Sequence, residues 1–143
     1  MMMRRKQKEV PKDTNRAGER QNNARQMLGR RGEQMAAEAL RERGYRIVEQ
    51  NFRCRYGEID LIAEEQDDLV FVEVKTRRGT AFGQPEEAVT RTKRRKLAEV
   101  ASYYLDVHNA GDRSWRIDVV AIDFNQNGKF REVRIYPHAV SAE

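Results

Sequence analysis

The fold is decided by the stretch GEIDLIAEEQDDLVFVEVK at residues 57–75. It contains two apolar runs, residues 57–63 and 69–75, and the polar segment 64–68 separates them. Short apolar runs on either side of such a segment are typical of antiparallel strands joined by a hairpin loop. The sequence therefore predicts a β-hairpin over this stretch.

Three charged side chains, Asp60, Glu73 and Lys75, interrupt the apolar runs of this hairpin. Burying charge is costly unless the charge is paired or bound to a metal. Glu73 and Lys75 are two residues apart on one strand, so their side chains share a face. If the hairpin is symmetric about its loop, Asp60 lies almost opposite Glu73, with Cβ atoms about 4.5–5.5 Å apart.

Two carboxylates at that separation repel each other, which raises the pKa of one of them, and a divalent cation would remove the repulsion. Mg²⁺ suits such a pair, because it takes one or two protein carboxylates and keeps several waters for substrate phosphates. The alternative is a salt bridge of Lys75 with Glu73 or Asp60 on a solvated sheet face. Both interpretations stay open at this point.

A fourth charged residue, Glu33, lies in a segment predicted to be a helix over residues 30–44, which ends at Gly44. Glu33 shares the i, i+3, i+4, i+7 stripe with Ala36, Ala37 and Leu40, so it is predicted to face the sheet. The alternative is an ordinary acid in the first turn that complements the helix dipole.

The remaining segments complete an α/β pattern. Strands are predicted at residues 45–50, 115–124 and 130–136, and a second helix from Pro85 to about Val107. The predicted order is helix, three strands, helix, two strands. Asp118 interrupts an apolar face of the strand at 115–124, where we expect it to be a structural partner for an arginine.

Basic residues flank the second helix. Arg77 and Arg78 fall in a predicted loop over residues 76–84, and five further cations lie in the first half of the helix: Arg91, Lys93, Arg94, Arg95 and Lys96. Few acids are interleaved, which favours contact with phosphates over a solvated charge run. Residues 51–56 form a basic, aromatic connection before the hairpin.

Charge and composition divide the chain of 143 residues in two. Residues 1–25 carry eight Lys/Arg and three Asp/Glu, whereas residues 26–143 carry twenty of each, so the net charge of +5 belongs to the N-terminal tail. We predict a basic, disordered tail over residues 1–28, which either holds nucleic acid or aids solubility, and one domain over residues 29–143.

Cys54 is the single cysteine, which excludes an internal disulfide. No apolar run reaches the roughly 20 residues of a membrane helix, and no secretory signal is visible. We therefore expect a cytoplasmic protein without a membrane partner.

Four sequence blocks together resemble the bacterial YraN-like family within the restriction-endonuclease-like nuclease superfamily, which includes Holliday-junction resolvases. The blocks are Gly32-Glu33, residues 57–63, residues 70–75 and residues 82–89. The resemblance covers roughly residues 29–136. It implies a mixed central sheet of about five strands flanked by helices. In the superfamily the first acid often follows proline, whereas Asp60 follows Ile59.

The resemblance also implies an activity. Asp60 and Glu73 match the superfamily's metal ligands, Lys75 its catalytic lysine, and Glu33 the helix-borne acid that completes or supports the metal shell. The implied function is a Mg²⁺- or Mn²⁺-dependent nuclease acting on DNA, including branched or recombination intermediates. Cutting a junction needs paired sites, which favours a homodimer. The alternatives are a non-catalytic nucleic-acid-binding accessory protein of the same fold, and an assembly protein that never contacts nucleic acid.

Overall fold

The computed structural model describes residues 16–79 and 91–140. The elements follow the predicted order of helix, three strands, helix and two strands. They are α1 (Arg16–Glu42), β1 (Arg46–Cys54), β2 (Gly57–Glu65), β3 (Asp68–Arg78), α2 (Arg91–Val107), β4 (Trp115–Phe124) and β5 (Phe130–Val140). Within these ranges no helix is long and apolar enough to cross a membrane.

The five strands form one mixed sheet in the order β1-β2-β3-β4-β5. Strands β3 and β4 are parallel, and the other neighbouring strands are antiparallel. Two parallel neighbours need a crossover connection, and α2 lies in the segment that links them. The prediction of an α/β domain with a mixed sheet of about five strands flanked by helices is confirmed.

The core has two layers, one on each face of the sheet. On one face Ala36, Ala37 and Leu40 of α1 pack against apolar side chains of β2, β3 and β4. On the other face the buried side of α2 packs against the same three strands. The predicted apolar face of α2 is confirmed, because Leu97, Val100, Ala101 and Tyr104 are all buried.

Helix α1 ends as predicted but begins earlier. Gly44 has a φ of 92°, and the amides of Gly44 and Tyr45 donate to the carbonyls of Arg41 and Leu40. This is the Schellman arrangement, in which glycine takes the left-handed conformation without strain. The start at Arg16 corrects the predicted boundary, because residues 16–28 of the predicted disordered tail are helical. Good helix formers dominate this segment, and they need no core to favour a helix.

Strand β3 is longer than predicted. It continues to Arg78, and the parallel ladder with β4 includes Arg77 opposite Asp123 and Arg78 opposite Phe124. The prediction that Arg77 and Arg78 lie in a loop is therefore wrong, because pairing with β4 extends the strand beyond its apolar run. Residues 80–84 of the predicted loop and residues 85–90 of the predicted helix lie outside the described residues.

Asp118 has the structural role expected for it. Its side chain is fully buried and accepts hydrogen bonds from Arg116 and Tyr45. Arg116 also forms ion pairs with Glu65 at 2.9 Å and Asp68 at 2.8 Å. The buried charge of Asp118 is tolerated at this position because it is paired and hydrogen-bonded on several sides.

Candidate functional site

The register of the β2–β3 hairpin brings Asp60 next to Glu73. The ladder pairs Glu65 with Asp68 beside the turn and ends at Leu61 opposite Val72. One step further along both strands lie Asp60 and Glu73, and the charge of Glu73 acts on the Asp60 carboxyl. The two acids therefore lie close together, as predicted, although the regular pairing of β2 with β3 stops one residue before them.

Strand β2 is irregular at this point. Ile59 and Ile62 are three residues apart, yet both pack in the layer that α2 covers, whereas Leu61 packs in the opposite layer. Strict alternation would place Ile59 and Ile62 on opposite faces. The Asp60 carboxylate instead accepts a hydrogen bond of 2.8 Å from the amide of Val74, between Glu73 and Lys75. This bond ties Asp60 to β3 where the regular ladder has stopped.

Two lysines contact the Glu73 carboxylate through the same oxygen, Oε1. Lys75, two residues further along β3, lies 3.3 Å away, and Lys93 from the first half of α2 lies 2.5 Å away. Glu73 itself is only 8% exposed. The salt bridge between Lys75 and Glu73 that the sequence left as an alternative is present, but it lies in a largely buried cluster, not on a solvated face.

The environment of the cluster disfavours the ionised forms of Asp60 and Lys75 and favours that of Lys93. Burial, followed by the charge of Glu73, raises the pKa of Asp60 to about 7. Burial, followed by the hydrogen-bond interaction with Lys93, lowers the pKa of Lys75. Burial is also the largest influence on Lys93 and acts to lower its pKa, but the hydrogen bonds to Glu73 and Lys75 and the charges of Glu73 and Asp60 together outweigh it and leave that pKa raised. Such perturbed groups are typical of functional sites.

Glu33 reaches the edge of the site because α1 approaches β3 closely at Gly32. A Cβ atom at Gly32 would clash with Oγ1 of Thr76, the residue that follows Lys75. Burial, followed by the charge of Glu58, raises the pKa of Glu33, and Glu73 adds to the effect. Glu33 in turn contributes to the raised pKa of Asp60. The predicted orientation of Glu33 towards the sheet is thus supported by its electrostatic environment.

The acids of this site supply some, but not all, of the ligands that a hard divalent cation could take from a protein. Asp60 and Glu73 supply two carboxylates whose mutual repulsion a cation would relieve, and Mg²⁺ requires no more protein carboxylates than these. Among residues 16–79 and 91–140, however, no three His, Cys, Asp or Glu side chains form a group that could hold a metal ion. Glu33 therefore lies near the pair without forming a three-acid cage with it.

Some of the predicted phosphate-contacting residues are exposed, and others have partners within the protein. On α2, Arg91, Arg94, Arg95 and Lys96 are exposed. Lys93 instead turns to Glu73, which sequence reasoning missed, because only the packing of α2 over β3 brings the two together. Arg78 donates two hydrogen bonds to the carbonyl of Gln126, so it also ties the end of β3 to the β4–β5 turn.

Comparison with known proteins identifies the family. The model of the Uncharacterised protein family UPF0102 matches residues 32–122, a range that contains all four predicted catalytic residues. A UPF0102 protein of Caldicellulosiruptor saccharolyticus is 44% identical over 112 residues, which cover 78% of this chain and 95% of that protein. A UPF0102 protein of Symbiobacterium thermophilum is 51% identical over 104 residues, covering 73% and 88%. The family resemblance of the sequence motifs is confirmed, and the chain belongs to the UPF0102 family.

Proposed function

We propose that this protein is a metal-dependent nuclease that hydrolyses DNA phosphodiesters. The observation that carries the proposal is the meeting of Asp60 and Glu73 beside Lys75, where the regular β2–β3 ladder ends. Burial and the neighbouring acid raise the pKa of Asp60, so a carboxylate pair exists that a cation would stabilise. The mixed sheet flanked by helices agrees with the restriction-endonuclease-like superfamily.

Asp60 and Glu73 would hold Mg²⁺ or Mn²⁺, and Glu33 would support them through its charge at the edge of the site. When bound, the cation would polarise the scissile phosphate and lower the pKa of a water molecule. The Val74 amide keeps the Asp60 carboxylate oriented towards β3. Because Oδ2 of Asp60 accepts this hydrogen bond, Oδ1 would be the oxygen that binds the cation.

Lys75 would stabilise negative charge on the phosphate oxygens and on the attacking water. Its position suits that role, because its ammonium lies 3.3 Å from Glu73 and is therefore held next to the proposed cation position. Lys93 would neutralise Glu73 while no cation is bound, since its ammonium contacts the same oxygen. Binding of the cation would then loosen this contact.

Two sets of cations would position the DNA backbone without reading its sequence. They are the exposed cations of α2 and, at the end of β3, Arg77 and Arg78. Branched or recombination intermediates are the proposed substrates, with a homodimer supplying paired sites and the cytoplasm as the location. If these residues contact DNA phosphates, the affinity of the protein for DNA should fall as the salt concentration rises.

A cleavage screen tests the proposal. Linear, single-stranded, flapped and four-way DNA would be incubated with Mg²⁺ or Mn²⁺ and the wild type, Asp60→Asn, Lys75→Ala or, as a control, Lys129→Ala. Removal of a group that stabilises transition-state charge costs roughly 100-fold to 1,000-fold in rate. We expect such losses for Asp60→Asn and Lys75→Ala and full activity for Lys129→Ala, which changes an exposed residue. Unchanged cleavage by Lys75→Ala would contradict the assigned chemistry.

A specific observation favours a second candidate, a nucleic-acid-binding accessory protein without turnover. Glu73 is contacted by two lysines, and within the described part of the chain no third acid completes a metal-binding group with Asp60 and Glu73. This candidate predicts salt-dependent DNA binding by the wild type but no cleavage of any substrate with either metal. The same screen, run beside a binding assay, therefore separates the two functions.

A further inference from the structure

A groove between the β1–β2 turn and α2 lies apart from the carboxylate pair and has no part in the proposed chemistry. Arg55 and Tyr56, the turn between the two strands, form one wall, and Arg95 and Tyr103 of α2 line the other. The sequence singles out this segment as a basic, aromatic connection. Its combination of cations and rings is the kind that binds single-stranded nucleic acid.

Tyr56 is an exposed aromatic side chain held in place by other rings. It is 38% exposed, and its ring centroid lies 5.8 Å from that of Tyr103. Tyr103 packs edge-on against Phe52 at 6.2 Å, and Phe52 packs against the buried Tyr104 at 5.1 Å. The rings therefore form a supported series from the core to the surface, which keeps Tyr56 in a defined orientation.

Arg55 adds a planar cation to this surface. Its guanidinium lies 4.8 Å from the Tyr56 ring centroid and donates a hydrogen bond of 2.6 Å to the Tyr56 hydroxyl. Unpaired bases stack on both aromatic rings and guanidinium planes. The Arg55–Tyr56 pair thus combines an aromatic ring and a planar cation on which a base can stack with a positive charge for the adjoining phosphate.

The charged residues of α2 make one end of the groove basic and the other end acidic. Lys93 marks the end of α2 nearest the carboxylate pair, and Arg95 lies two residues further along. Glu99 and Asp106 line the groove beyond it, about 9 Å and 20 Å from Lys93 at 1.5 Å per residue. Phosphates are therefore favoured at the end near the site, and hydrogen-bond acceptors for base amino groups lie at the far end.

Lengths along two elements set the scale of the separation between the Tyr56 end of the groove and the carboxylate pair. Tyr56 lies in the turn before β2 and four residue steps from Asp60, which corresponds to at most about 13 Å. Along α2, ten residues separate Tyr103 from Lys93, which corresponds to about 15 Å. At about 3.4 Å per nucleotide in a stacked strand, the interval spans about four nucleotides.

We propose that this groove binds an unpaired nucleotide of a single-stranded DNA segment, whose base stacks on the Arg55–Tyr56 pair and whose backbone leads to the carboxylate pair. The inference rests on the proposed nuclease function and narrows its substrates. A base inside a duplex cannot stack on a side chain, so the preferred substrates carry a single strand about four nucleotides from the cleaved bond, as flaps and branches do.

The test is a binding measurement without catalysis. Fluorescence anisotropy in the presence of EDTA would compare a single-stranded oligonucleotide with a duplex of the same sequence, for the wild type, Tyr56→Leu and Tyr56→Phe. Loss of one stacked base weakens single-strand binding by roughly 10-fold. We expect that loss for Tyr56→Leu, near-wild-type binding for Tyr56→Phe, and unchanged duplex binding for both. Val107→Ala, which alters an exposed apolar residue at the end of α2, is the surface control.

A second measurement keeps the result interpretable if Tyr56→Leu is less stable. An oligonucleotide with one 2-aminopurine should lose fluorescence when its base stacks in wild type and Tyr56→Phe, but not in Tyr56→Leu. Single-strand affinity and fluorescence that do not depend on Tyr56 would overturn the inference, even if wild type cuts DNA. Stacking that depends on Tyr56, in a protein that cuts no substrate, would instead refute the nuclease proposal and leave the binding site standing.

Discussion

Replacing Asp60 with asparagine should stabilise the protein at neutral and alkaline pH. The pKa of Asp60 is raised from an ordinary value of 3.8 to about 7 by burial and by the charge of Glu73. Because the folded state binds this proton more tightly than the unfolded state, the contribution of Asp60 to stability falls as pH rises between these two values. The asparagine variant keeps an acceptor for the Val74 amide and carries no charge, so it escapes this loss.

The size of the effect follows from the shift. One pKa unit corresponds to about 1.4 kcal/mol, so a rise from 3.8 to about 7 corresponds to roughly 4 kcal/mol. Asp60 is half-buried and solvent screens part of its interaction. We therefore expect the free energy of unfolding of Asp60→Asn to exceed that of the wild type by about 2 kcal/mol at pH values above about 7, and to equal it near pH 4.

Urea denaturation in EDTA, followed by circular dichroism at several pH values from about 4 to 8, measures this difference. Asp106→Asn is the matched control, because Asp106 is an exposed aspartate of α2; its unfolding free energy should stay within about 0.5 kcal/mol of the wild type. A stability difference between Asp60→Asn and wild type that does not vary with pH would refute the reasoning, since it would mean that no proton is held more tightly in the fold.

Four further outcomes are expected from the same geometry. Gly32→Ala should lose about 1–2 kcal/mol of stability by overpacking against β3, whereas Gly29→Ala, with open space at its Cβ, should gain up to about 1 kcal/mol; equal urea midpoints for the two would contradict this. Millimolar Mg²⁺ should raise the melting temperature of the wild type at about pH 8 but not that of Asp60→Asn, and a wild type without a shift would argue against the cation site. Lys93→Met should enlarge that Mg²⁺-induced shift, because the Lys93 ammonium would no longer compete with the cation for Glu73; an unchanged shift would exclude this competition. Arg116→Ala should cost about 3–5 kcal/mol, since its buried acidic partner is left uncompensated, and denaturation showing a loss below about 1 kcal/mol would contradict a buried network.

The sequence predicts the order of elements and the meeting of Asp60 with Glu73, because both depend on local patterns. Short apolar runs specify the strands, and a short polar turn specifies which residues face each other across β2 and β3. Asp118 could likewise be assigned to an arginine, since a lone acid on a buried strand face needs a cationic partner. These features follow from residues close together in the chain.

The sequence does not predict features that depend on contact between distant elements. The ion pair of Lys93 with Glu73 joins α2 to β3, and nothing in a run of five cations distinguishes the one that turns inward. The extension of β3 to Arg78 depends on pairing with β4 and not on its own apolar pattern. The reason for glycine before Glu33 appears only once α1 lies against Thr76.

The two charged clusters of this fold provide an internal comparison. Around Arg116, hydrogen bonds and opposite charges favour the ionised forms. The pKa of Asp68 is lowered, mainly by hydrogen bonds from Ser114 and Arg116. Burial acts to lower the pKa of Arg116, but its hydrogen bonds and ion pairs with acids leave that pKa raised. Such a network stabilises its charges and needs no ligand.

At the end of the β2–β3 ladder only Lys93 has its ionised form favoured among the groups with shifted pKa values, and the other three have the opposite character. The pKa values of Asp60 and Glu33 are raised and that of Lys75 is lowered, each first by burial, so all three ionised forms are disfavoured. A purely structural salt bridge gives no reason to keep charges in an environment that opposes their ionisation. A cation at the acids and a phosphate at the lysine would oppose all three shifts, and this supports the proposal of a catalytic site at the carboxylate pair.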